Sequence, residues 1–216
     1  MTQERAISVL ISGRGSNLKS LIENQDTYRV SAVLSNKADA GGLEIARQHG
    51  IPTVVVERAS FPSLSDFKSA VLAAVKETQP DLVALAGFMM VLQPEFTDAF
   101  RGRLVNIHPS LLPQFPGLDT HARAVESGVR HHGCSVHFVD AGIDTGPLIA
   151  QASLELSPTD DARSAAARVL TLEHALYPWV LTNISNGGIA LEDNIVTYDE
   201  RTLHEANQRG FSIFPR

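Results

Sequence analysis

The sequence predicts an α/β protein, a Rossmann-like, mainly parallel sheet with helices on both faces. Three observations lead there. Short apolar runs of strand length alternate with segments of helical period from the first residues onward. The runs are apolar at both alternating positions, as strands covered on two faces require. Strands that alternate with helices imply right-handed crossovers, and these set consecutive strands parallel.

In order, residues 6–12, 30–35, 53–56 and 82–85 read as buried strands, each a short run dominated by Val, Ile, Leu and Ala. Residues 17–23, 42–49, 66–78 and 95–100 read as the helices between them. A further apolar run, Leu104-Val105, leads into Asn106. Past residue 107 Pro109, Pro113, Pro116 and Gly117 prevent regular structure across a long loop. Residues 121–127 then read as a helix, and 134–139 and 148–156 as strands. Residues 161–184 form one long helical pattern, Ala-rich at its start, with apolar positions at Val169, Leu172, Leu176 and Val180. Residues 189–191 and 195–198 allow a short hairpin around Asp193-Asn194, and the tail from Asp199 carries no readable signal.

Composition narrows the function classes. The 216 residues can bury a large core, and no composition shift marks a domain boundary. A formal net charge of −6 argues against a broad nucleic-acid surface. A single cysteine, Cys134, cannot close an intramolecular disulfide, which fits a reducing compartment, and its strand-like neighbours make it a buried structural thiol. No signal peptide and no apolar run of membrane-spanning length is present, so the expected location is the cytoplasm.

Chemistry concentrates in two places. Asn106 and His108 lie two apart at the end of an extended run, so their side chains share one face. A fixed amide can stabilise an oxyanion, an imidazole can move a proton near neutral pH, and a downstream carboxylate such as Asp144 can hold the imidazole charged. That combination suits acyl transfer. The bland alternative is a capped turn followed by a proline bend.

The second place is Gly13-Arg14-Gly15-Ser16-Asn17-Leu18, a glycine turn between the first strand and a helix. It fails as a dinucleotide fingerprint because Leu18 replaces the third glycine, and because Ser35-Asn36-Lys37 stands where an acidic residue should hold a ribose hydroxyl. What remains is a structural turn or a phosphate site at a helix N-terminus. His131, His132 and His137 cluster in sequence, but without a cysteine pair or zinc-type spacing no metal site is expected.

The run Asn106-Ile107-His108-Pro109-Ser110-Leu111-Leu112-Pro113 resembles the active-site signature of the folate-dependent formyltransferases, in the form seen where glycinamide ribonucleotide is the acceptor. The resemblance extends from about Ile7 to Trp179 and includes Ile11 to Leu18, Ser35 to Ala40, Leu85 to Met89, Gly133 to Val139, and Glu173-His174. It implies the formyltransferase fold as one domain over residues 1–216, with a nucleotide- and phosphate-binding half over about 1–105 and a folate-binding, catalytic half over about 106–216. It implies Asn106, His108 and Asp144 as the catalytic residues, and Gly15, Ser16, Asn17 and Glu173 as contacts to the ribonucleotide. Met89, Met90, Val91 and Leu92, with Asn106 and the run Asp140, Ala141, Gly142, Ile143 and Asp144, would surround the folate. The co-substrate implied is 10-formyltetrahydrofolate, with no metal and with neither nucleic acid nor membrane as partner; a homodimer is compatible with it.

Two positions depart from the family pattern. Family members often carry arginine where Leu64 and Met90 stand, and the arginine at the Leu64 position contacts the folate; Arg58 lies nearby in sequence. Three other functions share the core. A formyltetrahydrofolate hydrolase is expected to carry an extra N-terminal domain, a methionyl-tRNA formyltransferase a further C-terminal domain and a basic surface, and a non-catalytic binding module to have lost Asn106, His108 or Asp144.

Overall fold

The computed structural model describes residues 4–214. The chain divides into two compact units between Val105 and Asn106, and strand β5 (Leu104–His108) runs across the division.

The first unit contains β1 (Arg5–Ile11), α1 (Ser16–Glu23), β2 (Tyr28–Ser35), α2 (Gly41–Gln48), β3 (Thr53–Val55), a 3-10 turn (Arg58–Ser60), α3 (Leu64–Glu77), β4 (Leu82–Leu85) and α4 (Pro94–Ala99). Its strands lie in the order β4-β1-β2-β3, and every pair is parallel. β1 is central, with Ile7, Val9, Leu10 and Ile11 fully buried, which explains its largely apolar reading. Leu18 and Leu21 of α1 and Leu43 of α2 complete this core. Each such side chain stabilises the fold by about 1.5–3 kcal/mol relative to exposure.

The turn from β1 into α1 depends on Gly15. Its φ of +80° is left-handed, and a Cβ there would lie 2.5 Å from the Cα of Gly42 at the start of α2. No other residue can meet both demands, so α1 and α2 approach closely at their N-terminal ends.

The second unit contains α5 (Thr120–Ser127), β6 (His131–Phe138), β7 (Leu148–Glu155), α6 (Ala162–Ser185), β8 (Ile189–Glu192), β9 (Ile195–Tyr198), α7 (Glu200–Arg209) and β10 (Ser212–Ile213). Its sheet order is β10-β7-β6-β5, with β7 antiparallel to both β6 and β10. α6 packs on β6, β7 and α5 and buries Val169, Leu176, Tyr177 and Val180. A capping box starts this helix: Asp161 accepts from the Ser164 amide, and Ser164 Oγ accepts from the Asp161 amide. β8 and β9 form the expected hairpin, with Asp193 and Asn194 in the left-handed region at its turn.

The observed α/β architecture, a mostly parallel sheet flanked by helices, is the predicted class. Two local readings differ. β6 begins at His131, three residues earlier than expected, because Gly133 lets the strands close up where a Cβ would overlap the Ala152 carbonyl. The silent tail folds as α7 and β10. α7 buries only Thr202 and Ala206 of its own, and it is tied down instead by Trp179, whose Nε1 donates to Glu205 and whose ring packs on Phe211. Among the described residues no helix is long and apolar enough to cross a membrane.

Candidate active site

In the second unit the structure brings Asn106, His108 and Asp144 together. It adds His137, which the sequence offered only as part of a histidine cluster without metal-site spacing. Asn106 and His108 share a face of β5 as their spacing requires; His137 lies on β6, and Asp144 follows β6 in a loop, held at a φ of +54°. His108 and His137 are buried, and the Asp144 side chain is 13% exposed.

His137 fixes Asn106. Its Nδ1 lies 2.8 Å from its neighbour's carbonyl at Phe138, an acceptor only, so Nδ1 carries the proton. In the neutral ring Nε2 is then an acceptor, and it receives the Asn106 Nδ2 amide at 3.1 Å. This assigns the orientation of the Asn106 amide and leaves its second N–H to donate elsewhere. The 3.7 Å between His137 Nε2 and Asp144 Oδ1 is too long for a hydrogen bond.

His108 lies between two acceptors. Its Nε2 donates to the Phe115 carbonyl at 2.9 Å, and its Nδ1 faces Asp144 Oδ2 at 3.3 Å. Both contacts favour the doubly protonated ring. Burial opposes them and prevails, so His108 titrates below the ordinary imidazole range; Phe115 and Asp144 raise it, while His137 and Arg123 lower it further. The carboxylate thus pulls the His108 pKa up, the direction expected of it, against the larger pull of burial downward. For Asp144 itself burial raises the pKa. That effect is outweighed by its neighbours, among them the Gly117 amide, which donates to Oδ2 at 2.8 Å, so the carboxylate titrates below its usual range.

One loop therefore touches both members of the pair. Phe115 gives its carbonyl to His108, and Gly117 gives its amide to Asp144. Arg123 of α5 clasps this loop, with Nη1 donating to the Pro116 and Leu118 carbonyls and the guanidinium 5.5 Å from the Phe115 ring centroid. Sequence reasoning missed Phe115, Gly117 and Arg123. Two act through backbone groups, which leave no side-chain signature, and a lone arginine on a polar helix reads as a solvated charge.

The other expected residues fall as follows. Asp140 Oδ1 accepts from the Gly142 amide and from Thr145 Oγ1, shaping the turn that carries Ala141, Ile143 and Asp144. Ile143 is exposed, an apolar side chain facing solvent in a loop built around the site. Glu173 is buried on α6, and together with burial its carboxylate raises the pKa of the buried Cys134 thiol, which is inert in consequence.

In the first unit Met89 and Val91 are exposed, Met90 is half-buried and Leu92 is buried. Ser12 anchors this segment: its hydroxyl accepts from the Met89 amide at 2.8 Å and donates to Asn36 Oδ1 at 2.6 Å. Gly15 is the N-cap of α1, with Ser16 and Asn17 in the first turn. Leu64 is exposed as the first residue of α3, and the nearby Arg58 spends its guanidinium on the Phe61 carbonyl at 2.7 Å. Among the described residues no group of three or more His, Cys, Asp and Glu is placed to hold a metal ion.

An α/β sheet here carries an amide, an imidazole and a carboxylate at one strand end and the loop beside it, the groups that acyl transfer employs. Residues 5–181 match the formyl transferase family model, and the chain belongs to that family. It is 44% identical over 201 residues to the phosphoribosylglycinamide formyltransferase of Escherichia coli (strain K12), covering 91% of this chain and 95% of that protein. Identity to the Haemophilus influenzae protein of the same name is 38%, over 92% and 96% of the two chains. The solved phosphoribosylglycinamide formyltransferase of Coxiella burnetii superposes with a TM-score of 0.87 at 42% identity, covering 91% of this chain and 94% of that one.

Proposed function

We propose that this protein is a phosphoribosylglycinamide formyltransferase: it moves the formyl group of 10-formyltetrahydrofolate to the amine of glycinamide ribonucleotide, in purine biosynthesis. The observation that carries the reading is the His108–Asp144 pair beside an amide whose orientation His137 fixes.

The amine attacks the formyl carbon as a free base, so an oxyanion and a cationic nitrogen develop together. Asn106 donates its free N–H to the oxyanion. His108, the general base, takes up the proton that the nitrogen loses. The imidazolium so formed is paired with Asp144 at 3.3 Å, and so the site stabilises the charge as it forms. His108 then returns the proton to the departing folate nitrogen as the carbon–nitrogen bond breaks. No acyl-enzyme is required, because the donor is already activated.

The ribonucleotide phosphate is assigned to the amides and side chains of Gly15, Ser16 and Asn17, and a polar group of the same substrate to Glu173. The folate is assigned to Met89 to Leu92, Asn106 and Asp140 to Asp144, apolar surface with a few backbone contacts suited to a flat heterocycle. Both substrates are small molecules, without nucleic acid or membrane as partner, and the cytoplasm is the expected location. A homodimer is the assembly to check by light scattering. The function is tested by incubating purified protein with both substrates and following N-formylated ribonucleotide by mass spectrometry; its absence would refute the assignment. The runner-up, a formyltetrahydrofolate hydrolase, would release formate instead.

A further inference from the structure

A chain of hydrogen bonds runs from β7 to the catalytic imidazole, and its far end is Gln151. The Gln151 Nε2 donates to the Leu112 carbonyl and to Ser135 Oγ, both at 2.8 Å. The Ser135 hydroxyl is fully buried; it donates to the Ser110 carbonyl at 2.6 Å and accepts from the Leu112 amide at 3.0 Å. With one proton given and two accepted, this oxygen is saturated. Ser110 in turn donates its amide to the His108 carbonyl at 2.9 Å and its hydroxyl to the carbonyls of Gln114 and Phe115, at 2.5 and 3.2 Å. The Phe115 carbonyl is the acceptor that holds His108 Nε2.

We propose that Gln151 is a positioning residue for the reaction: through Ser135 and Ser110 it sets the segment after His108, and thereby the carbonyl that aims the imidazole. Three backbone groups of that segment, the Ser110 carbonyl and both polar groups of Leu112, are bound by Ser135 and Gln151. Prolines flank the segment and limit its own backbone pairing, so these side chains do what a sheet ladder would otherwise do. Ångström-scale displacement of a proton-transfer group costs up to about 100-fold in rate. The main chain of Gln151 also pairs with Ser212 of β10, so the tail braces the strand that carries it.

The inference rests on His108 as the proton carrier, and its test separates the two. Gln151→Met keeps the length without donors, and Gln151→Glu keeps the shape with no proton to give at neutral pH. In both, kcat should fall about 10- to 100-fold with the KM of each substrate near native. Because the Phe115 contact raises the His108 pKa, loosening it should also move the His108 NMR titration, and the acid limb of the rate profile, to lower pH. Native kcat and a native titration in both variants would overturn the inference, while a loss of turnover in His108→Ala measured alongside would leave the proposed function standing. Equal losses of kcat and of both substrate affinities, with a lowered unfolding temperature and an unmoved titration, would show only a scaffold role and overturn it as well. A shifted titration with native turnover would overturn the proton-carrier reading and this inference with it.

Discussion

His108 and Asp144 meet at 3.3 Å, Nδ1 to Oδ2, with the second nitrogen of His108 already spent on the Phe115 carbonyl. A neutral ring in that position has a lone pair facing a carboxylate. The arrangement is therefore poised to accept one proton. His108→Ala should cost about 10²- to 10⁴-fold in kcat, the usual contribution of a positioned acid–base group, and near-native turnover with only a raised KM would contradict the role.

The pH dependence has a definite sign. His108 titrates below the ordinary imidazole range, so the acid limb of kcat at saturating substrates should lie below that range, declining as the pH drops through the lowered pKa. Asp144→Asn removes a charge that holds the pKa up, so turnover should fall and the acid limb should move to still lower pH. A limb that moved upward would mean that Asp144 acts on another group.

Asn106→Ala removes an oxyanion donor and leaves His137 Nε2 without its amide. The expected loss is about 10²- to 10³-fold in kcat, or roughly 3–4 kcal/mol of barrier, larger than the loss of folate affinity read by calorimetry.

Most of the fold was legible because burial wrote it into the sequence. β1, β2 and β4 are apolar on both faces because both faces are covered, and α6 announces itself by period and by its Asp161 cap. α7 was illegible for the opposite reason: a polar helix held by Trp179 and Phe211 has its cause elsewhere in the chain. The same holds in the site. The Asn106/His108 spacing reads from β geometry alone, whereas Ser135 and Gln151 become interpretable only when β6 and β7 pair and set the two opposite each other.

Gly15 separates packing from binding. A Cβ there meets Gly42 in a left-handed backbone, so Gly15→Ala should lower stability by about 1–3 kcal/mol and impair binding of both ligands as a fold defect. A Cβ on Gly13 meets nothing within 4 Å, so Gly13→Ala should unfold at close to the native temperature. Equal thermal destabilisation of the two variants would contradict the close approach of α1 and α2.

Three histidines whose pKa burial lowers should make the fold acid-labile. Burial, with His121 and His108 nearby, pushes His132 down to about 4 from an ordinary 6.5, and burial lowers His121 and His108 too. Each binds its proton more tightly in the unfolded chain, so their contribution is intact above about pH 6.5 and is lost as the pH falls toward 4. The unfolding temperature should decline across that window, and His132→Gln should flatten the decline; an unchanged slope would contradict the assignment.

The most direct measurement is the rate of 10-formyltetrahydrofolate consumption by purified protein with and without glycinamide ribonucleotide. If the ribonucleotide is the acceptor, consumption is slow alone and accelerates strongly on its addition, with one formylated ribonucleotide formed for each folate released. Consumption at a comparable rate without the ribonucleotide, and unchanged by it, would contradict the account and establish the hydrolase.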